Sequence, residues 1–181
     1  MLMAKEETIE SVGQYLFSEQ DTNVFAVLDG ASVQGLLDKL YALSPNFCCL
    51  FRGELQPDMA EVAPYLVQLE QGTEFTNWVI GQGWGNHWGI FASSEADFRQ
   101  MRTHFRTFLI VYDETGRPLR FRYYDPRVLR TYLPTCATEE LTTVFGPVTS
   151  YIVEDAAPDT LSRFQIQSGA LKQKKITIEQ S

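Results

Sequence analysis

The sequence predicts an α/β fold: a central mixed β-sheet flanked by helices, with a small C-terminal β-hairpin appended to it. Two short, uniformly apolar runs, Val24–Leu28 and Phe47–Phe51, have the length of buried strands. Between them Val33, Leu36, Leu37, Leu40 and Leu43 recur at helical spacing. The order strand, helix, strand predicts a parallel pair joined by a crossover helix. After residue 148 the chain turns extended and polar, with two segments around Ser168-Gly169 that form a hairpin and need a surface to pack on. A chain of 181 residues, 44% hydrophobic and 13% aromatic, supports one core, so 1–148 is expected to be the α/β domain and 149–181 an extension packed on it.

Taken in order, Lys5 to Glu19 is an amphipathic helix with Ile9, Val12 and Leu16 on one stripe. The strand Asn23–Leu28 leaves through Asp29-Gly30, and Ser32 is placed to cap the following helix, which Pro45 stops. Phe47–Phe51 is the second buried strand. Ala63–Leu69 is a third, with Pro64 marking its start at a sheet edge, since proline cannot donate to a ladder. Thr73–Ile80 is a short helix, and Gly81–Gly89 a loop in which glycines alternate with Trp84 and Trp88. His87–Ala92 re-enters the sheet. Ser94–Arg106 is a helix opened by a loose capping box of Ser94 and Asp97, with Phe98, Met101 and Phe105 facing inward. Phe108–Tyr112 follows as a strand buried on both faces.

Asp113–Gly116 is a hairpin turn into a strand over Leu119–Tyr124 that places Leu119, Phe121 and Tyr123 on one face and Arg120, Arg122 and Tyr124 on the other. That strand runs straight into a helix. Asp125 is its cap and Pro126 its first residue, where the missing N–H costs nothing and φ is already helical. Thr138 caps a last short helix that ends at Gly146-Pro147, and Ser150–Glu154 is a strand.

The formal charge of −8 and a pI near 4.8 argue against nucleic acid as the main partner. The charge is uneven. Eight arginines and three acids lie between Arg99 and Arg130, giving that window +5 and leaving −13 elsewhere. Such a segment either pairs internally with the acidic remainder or presents a basic surface to an acidic partner. Cys48, Cys49 and Cys136 form no disulfide framework, and neither a secretory leader nor an apolar run of membrane-spanning length is present, so a cytoplasmic location is expected.

The usual chemical constellations fit poorly. Asp29 stands at a strand end, as in aspartate-based phosphotransferases, but Ala31 occupies the place of the second acid. Glycines 81, 83 and 85 miss the dinucleotide spacing. A small hydrolase or transferase would have to use Asp29 or a Cys49/His87 pair, with Cys49 inside an apolar strand. No catalytic residue, metal or cofactor is therefore assigned. Trp84 and Trp88 serve either as core wedges or as an interface hot spot.

Five motifs occur in order over residues 23–148: Phe25-Ala26-Val27-Leu28-Asp29-Gly30-Ala31, Ala63-Pro64-Tyr65-Leu66-Val67, Gly83-Trp84-Gly85 through His87-Trp88-Gly89-Ile90, Phe121–Leu129 with its Tyr-Asp-Pro-Arg corner, and Phe145-Gly146-Pro147-Val148. This series resembles the effector chaperone or adaptor family of bacterial type VI secretion, first catalogued as a domain of unknown function. The resemblance implies a cytosolic, non-enzymatic protein that binds a toxic effector encoded nearby and helps load it onto the VgrG spike, sometimes with a PAAR tip. Longer members carry a second lobe after Phe-Gly-Pro, whereas about thirty residues follow that motif here. Trp84, Trp88, Arg120, Arg122, Tyr124 and Arg127 are the expected partner-contacting residues. Asp29, Gly30, Pro64, Tyr65, Asp125 and Pro126 are expected to build the fold. Arg122 and Arg127 either pair with Asp29 and Asp125 or face the cargo.

Overall fold

A computed structural model describes residues 2–157 and 159–178. Seven strands form one sheet in the order β2-β3-β1-β4-β7-β8-β9, with β1 Asn23–Asp29, β2 Phe47–Cys49, β3 Pro64–Leu69, β4 Gly89–Ser94, β7 Ser150–Glu154, β8 Thr160–Gln167 and β9 Ala170–Thr177. A separate two-stranded ribbon pairs β5 Ile110–Tyr112 with β6 Pro118–Arg120. The helices are α1 Leu2–Leu16, α2 Leu36–Leu43, α3 Pro57–Glu61, α4 Glu74–Gly83, α5 Phe98–Thr107, α6 Pro126–Tyr132 and α7 Thr138–Phe145.

The apolar strands are buried on both faces because alternate residues feed two cores. Phe25 and Val27 on β1, Leu66 on β3, Ile90 and Ala92 on β4, and Tyr151 and Val153 on β7 pack beneath α5, α6 and α7. Val24, Ala26 and Leu28, with Val67, Leu69, Phe91 and Ile152, pack beneath α1, α2 and α4. A strand that serves two helical layers cannot show a polar face, so its sequence is a continuous apolar run. β1 has the narrowest tolerance: a Cβ at Gly89 would lie 2.2 Å from the Val27 carbonyl oxygen across the ladder.

Every pairing in the large sheet is antiparallel. The α/β class stands, but the expected parallel pair is not made. β3 inserts between β1 and β2, which run in the same direction without touching through their backbones. Pro64 therefore begins an interior strand, as the first residue of β3 opposite Asp29, and the sheet edge beside it is β2. β2 itself is three residues long and half-buried rather than a buried five-residue strand.

Other local expectations shift for identifiable reasons. Ser32 does not cap α2; its hydroxyl donates to Asp29, and α2 starts after Gly35 in the left-handed conformation. The glycine-rich loop is shorter than predicted because α4, capped by Thr73, continues through Gly83. Ser94 ends β4, and the capping box of α5 is Asp97 with Gln100. Ala137 holds the cap position of α7, where the Glu140 carboxylate accepts its N–H. The C-terminal hairpin lies around Ser168-Gly169 as predicted, and it extends the main sheet through β7. Phe108–Tyr112 is corrected most: Phe108 and Leu109 are buried, but Ile110, Val111 and Tyr112 form an exposed strand. Its partner ends at Arg120, so Tyr123 and Tyr124 lie in the turn before α6 rather than on a strand.

Candidate functional site

At the end of β1 the backbone becomes crowded. The Gly30 N–H donates to the Ala63 carbonyl at 3.0 Å, and a Cβ at Gly30 would meet two backbone oxygens at 2.5 Å. This close approach requires glycine and fixes Asp29 at the sheet rim. Tyr65 braces the same corner, donating its hydroxyl hydrogen to the Ala60 carbonyl at 2.8 Å.

The Asp29 side chain is 3% exposed and accepts from three donors: the Ala31 N–H, the Ser32 hydroxyl and the Arg122 guanidinium. Arg122 reaches it from the turn that follows β6, where the Asp125 N–H donates to the Arg122 carbonyl at 3.0 Å. Asp125 caps α6 through the Arg127 N–H at 2.9 Å and accepts from the Arg127 guanidinium on both oxygens. Burial opposes ionisation of Asp125, but the hydrogen bonds and charge of Arg127 outweigh it and hold the carboxyl below its usual value. Burial pushes the Tyr124 phenol up, reinforced by the Asp29 charge.

A third carboxylate adjoins this pair. Glu154, at the end of β7, binds the His87 ring through one oxygen and the Gly85 N–H through the other. The Glu154 backbone carbonyl accepts from Arg130 on α6 at 2.7 Å. Gly85 and His87 both have positive φ, so the loop after α4 curls its backbone around the carboxylate. Beside it Trp88 packs on Trp78 with centroids 4.8 Å apart, and Trp84 stacks on Phe91 at 6.3 Å. Both tryptophans border the small cavity against Leu28 and Val79, as wedges between α4 and the sheet.

The structure thus gathers Asp29, Arg122, Tyr124, Asp125, Arg127, Glu154, His87 and Arg130 at one rim of the sheet. Three carboxylates face three arginines there, each engaged with a neighbour on the same chain. Arg120 stands apart: it is exposed, with its guanidinium 4.8 Å from the centre of the Phe51 ring. Tyr124 is buried, which leaves Arg120 and the outer halves of Arg122 and Arg127 to face solvent. Glu154 and Arg130 were not singled out by sequence. A charged residue closing an apolar strand was the available signal for Glu154.

Cys49 and His87 are not brought together. The ladder aligns Cys49, Tyr65, Leu28 and Gly89 across four strands, so Cys49 and Gly89 lie three strand spacings apart, about 14 Å. Burial raises the Cys49 thiol, which keeps it protonated. Among the described residues, no cluster of three His, Cys, Asp or Glu side chains has the arrangement of a metal site. No described helix is long and apolar enough to cross a membrane.

A family model described as a domain of unknown function, DUF4123, matches residues 24–143. The chain belongs to this family. No curated protein and no solved structure matches it. The DUF4123 segment runs from β1 through α7 and so contains Asp29, both tryptophans, the ribbon and the Tyr-Asp-Pro-Arg corner. Glu154 and the strands β7 to β9, which complete the sheet beyond β4, lie outside the matched segment.

Proposed function

We propose that this DUF4123 protein is a non-enzymatic adaptor that binds a secreted effector of a bacterial type VI system and helps load it onto the VgrG spike, with a PAAR tip in some assemblies. In this reading it acts in the cytoplasm. The observation that carries the proposal is the state of the motif residues. Asp29 and Asp125, the two acids of the motifs, are each held by an arginine and by backbone donors of their own chain. Residues so engaged build a rigid rim, and a rigid rim suits the presentation of a surface. The alternative, a hydrolase or transferase, would need Asp29 freed from Arg122 or Cys49 moved by more than two strand spacings toward His87.

Mechanistically, the adaptor supplies shape and charge. The Asp29–Arg122 and Asp125–Arg127 pairs lock the turn between β6 and α6, so the exposed Arg120 and the ribbon leave the body in a fixed direction. Co-expression with the product of the neighbouring reading frame tests the proposal. A stable complex that survives gel filtration, and that retains VgrG in a pull-down, is the expected result. Folded protein that retains neither overturns the reading.

A further inference from the structure

The seven-stranded sheet ends in two unlike edges. At one, β2 is three residues long and half-buried, which leaves little backbone to pair with. At the other, β9 keeps an unbroken register with β8, from Ala170 opposite Gln167 to Thr177 opposite Thr160, and contains no proline. Ser168 and Gly169, both at positive φ, make the two-residue turn that fixes this register. No described strand pairs with the far side of β9.

The Ile178 N–H donates to the Asp159 carbonyl at 2.7 Å, and the Asp155 N–H donates to the Thr160 carbonyl at 2.9 Å. Hydrogen-bonded and non-hydrogen-bonded pairs alternate along an antiparallel ladder. Lys172, Lys174 and Ile176 therefore turn their backbone groups toward β8. Leu171, Gln173, Lys175 and Thr177 turn theirs outward, as a row of donors and acceptors that a further strand can bond.

Charge selects that strand. Residues 160–177 carry Arg163, Lys172, Lys174 and Lys175 with no acid, a net +4 in a chain whose other residues sum to −12. Arg163 is paired with Glu19 and Lys175 with Asp155. Lys172 and Lys174 have no acidic partner among the described residues, and both stand on one face, opposite Gln165 and Arg163. A strand added to β9 meets these lysines in non-hydrogen-bonded pairs, where facing side chains come closest. A second copy is rejected there. Antiparallel pairing of two β9 edges about Gln173 sets Lys172 against Lys174, and pairing about either lysine sets it against itself. Edge lysines thus guard against self-pairing, and the same charges attract an acidic chain. On the other face Leu171 packs at the margin of the core and offers an apolar neighbour.

We propose that the β9 edge receives an extended segment of a partner protein as a further strand, with acidic side chains opposite Lys172 and Lys174 and apolar ones alternating with them. The inference rests on the adaptor reading for the existence of a partner, and on β9 for where and by what chemistry it binds. A protein that joins cargo to a spike needs two separate surfaces. The β5–β6 ribbon is placed toward the opposite edge, with its Arg120 over Phe51 just beyond β2.

Eight-residue peptides of alternating Val-Glu, Val-Lys and Pro-Glu, titrated into the full chain and followed by amide NMR shifts, test the edge. Val-Glu should shift the amides of Leu171, Gln173 and Lys175 and weaken with added salt. Val-Lys should bind about tenfold less well for want of opposite charge. Pro-Glu should be weaker by about the same factor, since it keeps the charge but lacks every second N–H. Lys172→Glu with Lys174→Glu changes two exposed side chains and should invert the preference toward Val-Lys. Gln173→Pro removes an outward N–H and should weaken Val-Glu about tenfold, and the charge-reversed variant decides if this one fails to fold. Equal affinity for Val-Glu and Pro-Glu would reduce the edge to a basic patch and overturn the inference. So would absent Val-Glu binding, an unchanged preference in the charge-reversed variant, shifts away from β9, or a free chain that self-associates through this edge. Capture of the neighbouring gene product and of VgrG is measured alongside. Capture that persists when the peptide titration fails removes this edge and leaves the adaptor reading, whereas absent capture with a working edge does the reverse.

Discussion

Asp29 shows how far a single residue's role depends on chain that is distant in sequence. A strand-end aspartate followed by Gly-Ala-Ser suggests a turn from local chemistry, and two of its three bonds, to Ala31 and Ser32, are local. The third comes from Arg122, 93 positions away, and no local rule could choose it over Arg120 or Arg127. By contrast Asp125 and Pro126 were legible in full, because a cap bonds the backbone two residues on and needs no other part of the fold. The Asp29–Arg122 pair is asymmetric, since the carboxylate is buried and the guanidinium half-exposed. Asp29→Asn should therefore lower the unfolding free energy by about 2 kcal/mol, through donors left poorly matched. Arg122→Ala should cost about 1 kcal/mol or less, because its partner keeps two other donors and water reaches the site. Urea midpoints of the two variants check the order, and the reverse order would assign Arg122 the larger structural role.

Elements were legible where amphipathic or apolar period is strong, and misread where burial depends on what arrives to cover them. Phe108–Tyr112 is uniformly apolar, yet its first two residues enter the core and the next three project from it. Nothing in an apolar run states where the covering layer stops. The same limit misplaced β2: a strand, helix, strand order predicts direction, and β1 and β2 do run the same way, but β3 arrives from later in the chain to sit between them. Packing of α5 on α7 gives a prediction at this scale. His104 donates its Nε2 hydrogen to the Val144 carbonyl at 3.0 Å and lies 2.7 Å from where a Cβ on Gly146 would stand. Burial pushes its pKa down to about 4, against an ordinary 6.5. A lowered folded-state value means the unfolded chain takes up the proton first. The stability from neutral His104 is then complete above pH 6.5 and is lost as the pH falls toward 4, by about 2–3 kcal/mol. Chemical denaturation at pH 7 and pH 4.5 should show the loss in the parent chain and a smaller one in His104→Leu. An equal pH dependence in both would assign the loss to other groups.

For the molecule as a whole, the C-terminal hairpin is built onto the main sheet through β7. Tyr151 on β7 and Phe164 on β8 are fully buried in the core beneath α5 and α7, and Arg163 on β8 pairs with Glu19 beyond the end of α1. A hairpin that needs a surface to pack on was legible, but the sheet edge it joins was not, because β8 buries few of its side chains and β9 almost none. Charge was legible in amount and in sequence position, but its sorting was not. Arg122, Arg127 and Arg130 bond to the sheet rim, whereas on the ribbon Arg117 and Arg120 stand against Asp113 and Glu114. The adaptor reading joins rim and ribbon: internally satisfied pairs hold a projecting ribbon whose exposed Ile110, Val111, Tyr112 and Leu119 would contact another protein. Hydrogen–deuterium exchange of the chain, alone and with the co-expressed product of the neighbouring gene, measures this directly. The account predicts slowed exchange at the amides of Ile110 and Tyr112 in the complex and unchanged exchange at Ala31 and Arg127 beside Asp29 and Asp125. Slowed exchange confined to Ala31 and Arg127, with the ribbon unaffected, would contradict it.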